Sequence, residues 1–331
     1  MTAGAPPSRA RSAGASRRVR IAFFALFIVG IAALWEGVKV LGGDPFRMDG
    51  VVVWTPPLDI GLASDINMPH FWVIFTRLFE PLTSGVEQTL LGYLLDQTLY
   101  TLRSAFIGFA IGGLLGIGLA VLFVHSGLIE RAFLPYVVAS QTIPIIALAP
   151  LIVFLAGRDV GSVVIVATYL SFFPVTIAML RGLRSPDPRA LELMRSYAAS
   201  RRAVLWKVRF PASLPYLFTA MKITATAAIV GAIVGEGAGS LQAGLGRALV
   251  FFSSSYTVAP EKLWGAILVA SVVGIVAGIG IAIGLQSVLG AFGIDLPSTT
   301  IQLEPRTVAV SILIGIVVTL ASSILPARRA S

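Results

Sequence analysis

Residues 104–124, Ser-Ala-Phe-Ile-Gly-Phe-Ala-Ile-Gly-Gly-Leu-Leu-Gly-Ile-Gly-Leu-Ala-Val-Leu-Phe-Val, run from Arg103 to His125 without a charge. Twenty-one such residues, rising 1.5 Å each in a helix, reach across the roughly 30 Å of a bilayer's hydrocarbon. The same test worked outward finds 26 uncharged residues between Arg131 and Arg158, 21 between Asp159 and Arg181, 32 between Lys262 and Asp295, and 21 between Arg306 and Arg328. A shorter run from Ile21 to Leu41, interrupted by Glu36 and Lys39, and another from Tyr216 to Gly235 holding Lys222, bring the total to six or seven spans. These runs are continuously apolar rather than alternating, which excludes a transmembrane barrel. The expected fold is an all-α, polytopic transmembrane helix bundle.

Composition agrees. Of 331 residues 56% are hydrophobic and 12% charged, against about 25% charged in a soluble domain, and the mean hydropathy is +0.88. Cysteine is absent, so disulfides, thiolate metal sites and cysteine nucleophiles are excluded. His70 and His125 are separated by a span, and no acid, base and nucleophile stand together at bilayer depth, so neither a metal site nor an intramembrane enzyme is expected.

Charge sets the orientation. Residues 1–20 carry Arg9, Arg11, Arg17, Arg18 and Arg20 with no acid and form a basic cytoplasmic tail. The anchor 21–41 has no small-residue cleavage site before Trp35 and Glu36 and is expected to stay attached. Segment 42–99 holds seven acids against Arg47 and Arg77, whereas 181–211 holds eight basic residues against Asp187 and Glu192. Basic excess marks the cytoplasmic side, which puts the N-terminus inside, 42–99 outside and 181–211 inside a multi-pass plasma-membrane protein. The net charge of +9 is then topological and gives no reason to expect nucleic acid as a partner.

Gly108, Gly112 and Gly116 recur every fourth residue and leave one helix face bare, suited either to packing within the bundle or to a subunit interface. Ser140, Gln141 and Thr142 precede Pro144 and Pro150 in the next span, and Tyr169 and Ser171 precede Pro174 in the one after. Proline frees carbonyls that hydrocarbon tolerates only beside protein or a water-filled cavity. Ser140, Gln141, Thr142, Tyr169 and Ser171 are therefore candidates for a solute pathway, with interhelical hydrogen bonding as the alternative.

The inner loop 181–215 reads Arg-Gly-Leu-Arg-Ser-Pro-Asp-Pro-Arg-Ala-Leu-Glu-Leu-Met-Arg-Ser-Tyr-Ala-Ala-Ser-Arg-Arg-Ala-Val-Leu-Trp-Lys-Val-Arg-Phe-Pro-Ala-Ser-Leu-Pro. Pro186 and Pro188 are expected to start its structure and Pro211 and Pro215 to stop it. Leu191, Met194, Tyr197 and Ala198 share one helical face, and Val204, Leu205 and Val208 form a second group after a break at Ser200. Two short helices with a compact turn follow, offering small Ala198, Ala199 and Ser200 ringed by Arg195, Arg201 and Arg202.

In this loop the chain resembles the permease subunit of a type I ATP-binding-cassette importer, the binding-protein-dependent family. Glu192 matches the glutamate of that family's cytoplasmic motif, Val208 its aliphatic residue and Pro211 its proline, while Ala198 stands where the family has glycine. Ala212 to Leu217, Lys222, Gly231 to Glu236, and Gly244-Leu-Gly246 resemble the nitrate, sulfonate and taurine branch, and Arg195 to Ser200 resembles members linked to vitamin-like or pyrimidine precursors. The likeness covers about residues 85–270. It implies the type I importer permease fold over 100–290, with 181–215 as the loop that couples to a separate ATPase through Glu192, Arg195, Tyr197, Ala198, Ala199, Ser200, Val208 and Pro211. The partners it implies are ATPase subunits, a second permease copy and an external solute-binding protein. No glycine-rich loop ends in Gly-Lys-Ser or Gly-Lys-Thr, so ATP and its Mg are expected on the ATPase and no cofactor on this chain, which is not itself an enzyme.

From about Val269 the text changes. Ala277 to Gly284, Phe292 to Arg306 with its Asp295-Leu-Pro turn, and Pro326-Ala-Arg-Arg-Ala resemble the last hairpin of FtsX-like and MacB-like permeases. Residues 291–331 are accordingly expected to form an extra loop and span. A seventh crossing would leave Arg328 and Arg329 outside, so a composite chain joined within Leu268–Gly280, or one that does not function, is the alternative. A mechanotransmission or lipoprotein-handling permease is another.

Overall fold

The computed structural model describes residues 26–27, 29–48, 51–58, 60–83, 85–240 and 243–291. The basic tail 1–20, the start of the anchor, and the tail beyond Ala291 with its expected loop and seventh span lie outside the described residues. The chain divides into two compact units, 1–71 with 297–331, and 72–296.

In the first unit, helix α1 (29–42) ends under a cap built by the chain that follows. Four of its last carbonyls accept from Gly43 N, Trp54 Nε1, Leu58 N and Ile60 N, at 2.8 to 3.0 Å. These are the groups a helix C-terminus otherwise leaves without partners. A two-stranded antiparallel hairpin, β1 (Phe46–Met48) and β2 (Val51–Trp54), is a minor exception to the all-α expectation. Polar side chains of α1 hold the segment after it. Trp35 Nε1 donates to the Pro69 carbonyl at 2.9 Å, Glu36 accepts from Phe71 N at 2.6 Å and meets His70 Nδ1 at 2.8 Å, and buried Lys39 reaches Asp65 and the Met68 carbonyl.

The second unit is helical: α2 (Phe71–Arg77), α3 (Leu90–His125), α4 (Gly127–Ser140), α5 (Ile145–Ala156), α6 (Val160–Leu183), α7 (Pro188–Ser196), α8 (Arg201–Val204), α9 (Phe210–Gly235), α10 (Leu245–Ser254) and α11 (Pro260–Ala291). Side-chain caps set the starts: Thr89 accepts from Gly92 N, Ser126 from Ile129 N, and Asp159 from Ser162 N. Because Thr89 caps α3, the helix begins at Leu90 and takes in residues expected to belong to the outer segment 42–99.

Four helices among the described residues are long and apolar enough to cross a membrane, and five if α4 and α5, which meet at 105°, form one broken span. Helix α6 is central. The stripe of α3 packs on it: a Cβ added to Gly108 would lie 2.4 Å from Ala167 Cβ, one on Gly112 2.5 Å from Ser171 Cβ, and one on Gly116 2.7 Å from the Phe172 carbonyl oxygen. The bare face thus meets a helix of its own chain. Helix α9 packs on α6 and on α3 as well, and a Cβ on Gly182 would stand 2.7 Å from Ser213 Cα and one on Gly231 2.9 Å from Ala167 Cα. Helix α11 runs unbroken through 268–280, where a junction was the alternative.

Candidate functional site

The inner loop folds as an elbow. Asp187 caps α7 by accepting from Arg189 N at 2.8 Å, with Pro188 at the first helical position, where its missing N–H costs nothing. The helix ends after Ser196 because Ala198 takes a left-handed conformation, φ +48. Ala198 N donates to Arg195 O at 2.8 Å and Ala199 N to Met194 O at 3.0 Å, the paired closure of a Schellman motif. Glycine is the usual residue at that position, and the importer motif that this loop resembles has glycine there too. The physical demand is therefore on backbone conformation, not only on close approach. Tyr197 and Ala198 lie in the cap rather than on the helical face expected with Leu191 and Met194.

Ser200 then caps α8, accepting from Ala203 N at 3.2 Å, and the chain does not stop at Pro211 or Pro215 as expected. It passes through a wide turn, Leu205–Arg209, in which Phe210 N reaches back five residues to Leu205 O, and continues as α9 through both prolines. The wide turn gives Pro211 room for its ring and its missing donor, which a regular helix lacks. Arg201 to Gly239 is thus one helical element of 39 residues, starting in the elbow.

No residue of α7 is buried, and Glu192, Leu193, Arg195 and Tyr197 are exposed. The base of the elbow, by contrast, is fixed. Arg209 Nη1 donates to Leu183 O at 3.3 Å, Arg184 pairs with Glu130 of α4, and Gly182 sits against Ser213. Beneath lies an apolar cluster of Phe123, Val137, Met179, Leu183, Leu205 and Leu217. Val208 is half-buried at this base, whereas Glu192, Arg195, Tyr197, Ala198 and Ser200 are presented outward, and Pro211, at the start of α9, is exposed as well.

The span expected to kink at Pro144 breaks instead. The residue before a proline is forced from the helical region, and Gln141 to Pro144 join two separate helices. The break is capped: Ser140 Oγ donates to Val137 O, Gln141 N to Val138 O, Thr142 N and Oγ1 to Ala139 O, and Tyr169 OH to Ser140 O. All four terminal carbonyls of α4 are satisfied, so Ser140, Thr142 and Tyr169 are engaged in holding the bend, leaving the Gln141 amide exposed. Ser171 departs from the pathway expectation. It is wholly buried against Gly112, its hydroxyl donating to Ala167 O at 2.6 Å, because the glycine stripe draws it into the helix contact. A groove of about 530 Å³ lies between α6 and α9, lined by Phe173, Pro174, Arg181, Pro215, Tyr216 and Thr219 among others.

At the other end of α9 stands a group that sequence reasoning did not single out. Glu236 is wholly buried, and its Oε2 accepts from Thr101 Oγ1 and from Gly246 N, both at 2.9 Å. Leu245 N donates to Thr101 Oγ1 at 2.8 Å and Gly244 N to Gln97 Oε1 at 2.6 Å. Gly244 has φ +102, and a Cβ there would lie 2.2 Å from Glu236 Cδ. The signal available was a lone acid between Lys222 and Arg247 in an apolar run. Its partners on α3 carried none.

Residues 112–283, which contain the bend, the elbow and Glu236, match the family described as binding-protein-dependent transport system inner membrane component. The formylaminopyrimidine transport permease protein ThiX of Halalkalibacterium halodurans is 40% identical over 146 residues, 44% of this chain and 58% of that protein. A probable ABC transporter permease protein of Haemophilus influenzae is 32% identical over 230 residues, 68% of this chain and 88% of that protein. The riboflavin transport system permease protein RibX of Chloroflexus aurantiacus is 30% identical over 186 residues, 56% of this chain and 67% of that one. The chain belongs to the family of inner membrane components of binding-protein-dependent transport systems and is a permease subunit of an ATP-binding-cassette importer.

Proposed function

We propose that this permease is driven through its elbow by a separate ATPase that binds and hydrolyses ATP with Mg, and that it takes its solute from an external binding protein. The carrying observation is the contrast within the elbow: α7 has an exposed tip and no buried residue, while its base is tied to α4, α6 and α9. An exposed tip suits a partner's groove, and a fixed base passes that partner's movement into the spans. The basic elbow lies on the cytoplasmic side, with the N-terminus inside. A second copy of the chain completes the pathway, covering apolar side chains such as Ile146, Phe154 and Leu155 that α5 leaves exposed. Gln141 at the bend and Arg181, Tyr216 and Thr219 in the groove between α6 and α9 face the solute.

The solute is a small nitrogen heterocycle. Two relatives are named for formylaminopyrimidine and riboflavin, and the groove offers Phe173 and Tyr216 for stacking beside Arg181 as its one charged side chain among the described lining residues.

The test is Ala198→Glu in the assembled transporter. A carboxylate at the tip of the elbow is expected to abolish ATP-driven uptake into vesicles while the chain still inserts. Unchanged uptake, or failure of a cross-linker at position 197 to capture an ATPase in any nucleotide state, overturns the reading.

A further inference from the structure

Helix α10 has ten residues, too few to cross a bilayer, and no side chain of its own caps its start. The three amides of Gly244, Leu245 and Gly246 are captured instead by Gln97 and Thr101 of α3 and by Glu236 at the end of α9. A carboxylate is the expected anion for a helix N-terminus, but here it is borrowed from another helix. Burying a carboxylate is costly, and its Oε1 has no hydrogen-bond partner among the described residues, so the arrangement is not explained by cohesion alone. The buried side chains of α10 are apolar, with Leu245, Ala248 and Phe252 packed among Leu78, Leu90, Leu94, Ala266 and Val269. Apolar packing tolerates sliding, whereas hydrogen bonds of 2.6 to 2.9 Å are lost by a shift of about 1 Å.

Helix α9 connects this cap to the elbow. From Arg201 to Glu236 the chain is helical, on the order of 50 Å at 1.5 Å per residue. A displacement of the elbow moves Glu236 against Gln97 and Thr101, so the cap, shared between α3 and α9, cannot keep all three amides at once. We propose that Glu236 is a positioning residue that seats α10 across the end of the bundle remote from the elbow, making α10 a gate on the binding-protein side that α9 releases when the ATPase moves. The proposal rests on the coupling role assigned to the elbow.

The absence of cysteine makes the test direct. Ser253→Cys places one thiol on the exposed face of α10, and its labelling by a membrane-impermeant maleimide is compared in the complete transporter, free of nucleotide and trapped with ATP and vanadate. A several-fold difference in labelling rate between the two states is expected. Adding Glu236→Ala is expected to remove the difference, and Glu236→Gln, which keeps the one oxygen in use, to retain it. Thr101→Val, nearly isosteric, serves as a second variant should the alanine fail to assemble, and is expected to reduce the difference. No difference in the parent, or a difference undiminished in Glu236→Ala or Thr101→Val, overturns the proposal. Equal loss in Glu236→Gln and Glu236→Ala overturns the acceptor role. Co-purification of the ATPase with the parent is scored separately, so failure of the elbow reading is distinguishable from failure of the gate.

Discussion

Gly246 of α10 and the Ile233 carbonyl of α9 approach so closely that a Cβ at position 246 would stand 2.0 Å from that oxygen. Backbone faces backbone there, and no rotamer relieves the clash. Gly246→Ala is expected to destabilise by about 3 kcal/mol or more, at the upper end of overpacking costs. Gly237→Ala is the control, since its Cβ would make ordinary contacts, 3.4 Å from Val250 Cγ2 and 3.7 Å from the Gly246 carbonyl oxygen. Thermal unfolding of the detergent-solubilised protein, followed by size exclusion, separates the two.

Within α3 the glycines divide the same way. A Cβ on Gly112 would press on Ser171 Cβ at 2.5 Å and is expected to cost about 1–3 kcal/mol. Gly118 has nothing within 4 Å, so Gly118→Ala is expected to stabilise the helix by about 0.5–1 kcal/mol, because alanine loses less backbone freedom on folding. Opposite shifts in Tm check the assignment of the stripe to the contact with α6.

That stripe was legible because residues four apart share a helix face, and the elbow was legible because Pro186 and Pro188 mark its start and basic residues fill it. What the stripe packs against was not legible, since any helix with a small-residue face would serve. The continuation of α9 through Pro211 and Pro215 was missed because the wide turn at Leu205–Arg209 has no composition of its own. The capture of α10 was missed for a different reason: Gln97 and Gly244 are 147 residues apart, and only tertiary packing makes an ordinary glutamine a helix cap. For Ser140 and Thr142 the sequence left open a solute pathway or interhelical hydrogen bonding, and their hydroxyls bond within their own helix end, to the Val137 and Ala139 carbonyls at the bend.

Ala198 holds a left-handed conformation that costs an L-residue roughly 1–2 kcal/mol. Ala198→Gly is expected to return about 1 kcal/mol of this, part of the gain being lost to the freer unfolded chain. The effect is local, so amide hydrogen exchange across 194–199 is the sensitive measurement, and slower exchange is expected. Faster exchange would contradict the Schellman closure as the element that ends α7.

Tyr169 supplies the partner for the Ser140 carbonyl at the bend. Tyr169→Phe leaves that half-buried carbonyl without its donor and is expected to cost about 1 kcal/mol, the net worth of one hydrogen bond. Because the bend is held by that hydroxyl across to α6, the variant is also expected to raise maleimide reactivity of a single cysteine placed at Gln141. A fall in Tm with no change in reactivity would locate the effect elsewhere.

Lys39 is 2% exposed, and its ammonium donates to the Met68 carbonyl at 2.7 Å and the Ala63 carbonyl at 3.3 Å besides pairing with Asp65. The three contacts are unequal in consequence. Asp65 is 58% exposed and regains water if the pair is broken, so Asp65→Asn is expected to cost at most about 1 kcal/mol. Lys39→Met removes the donor from two carbonyls that the fold encloses, and those become solvated only if segment 60–70 opens away from α1. Local opening is therefore the expected response, not global unfolding. Limited proteolysis of the detergent-solubilised protein should cleave within 55–70 several times faster in Lys39→Met than in the parent, with Asp65→Asn close to the parent. Comparable acceleration in both variants would instead assign the hold to the exposed ion pair.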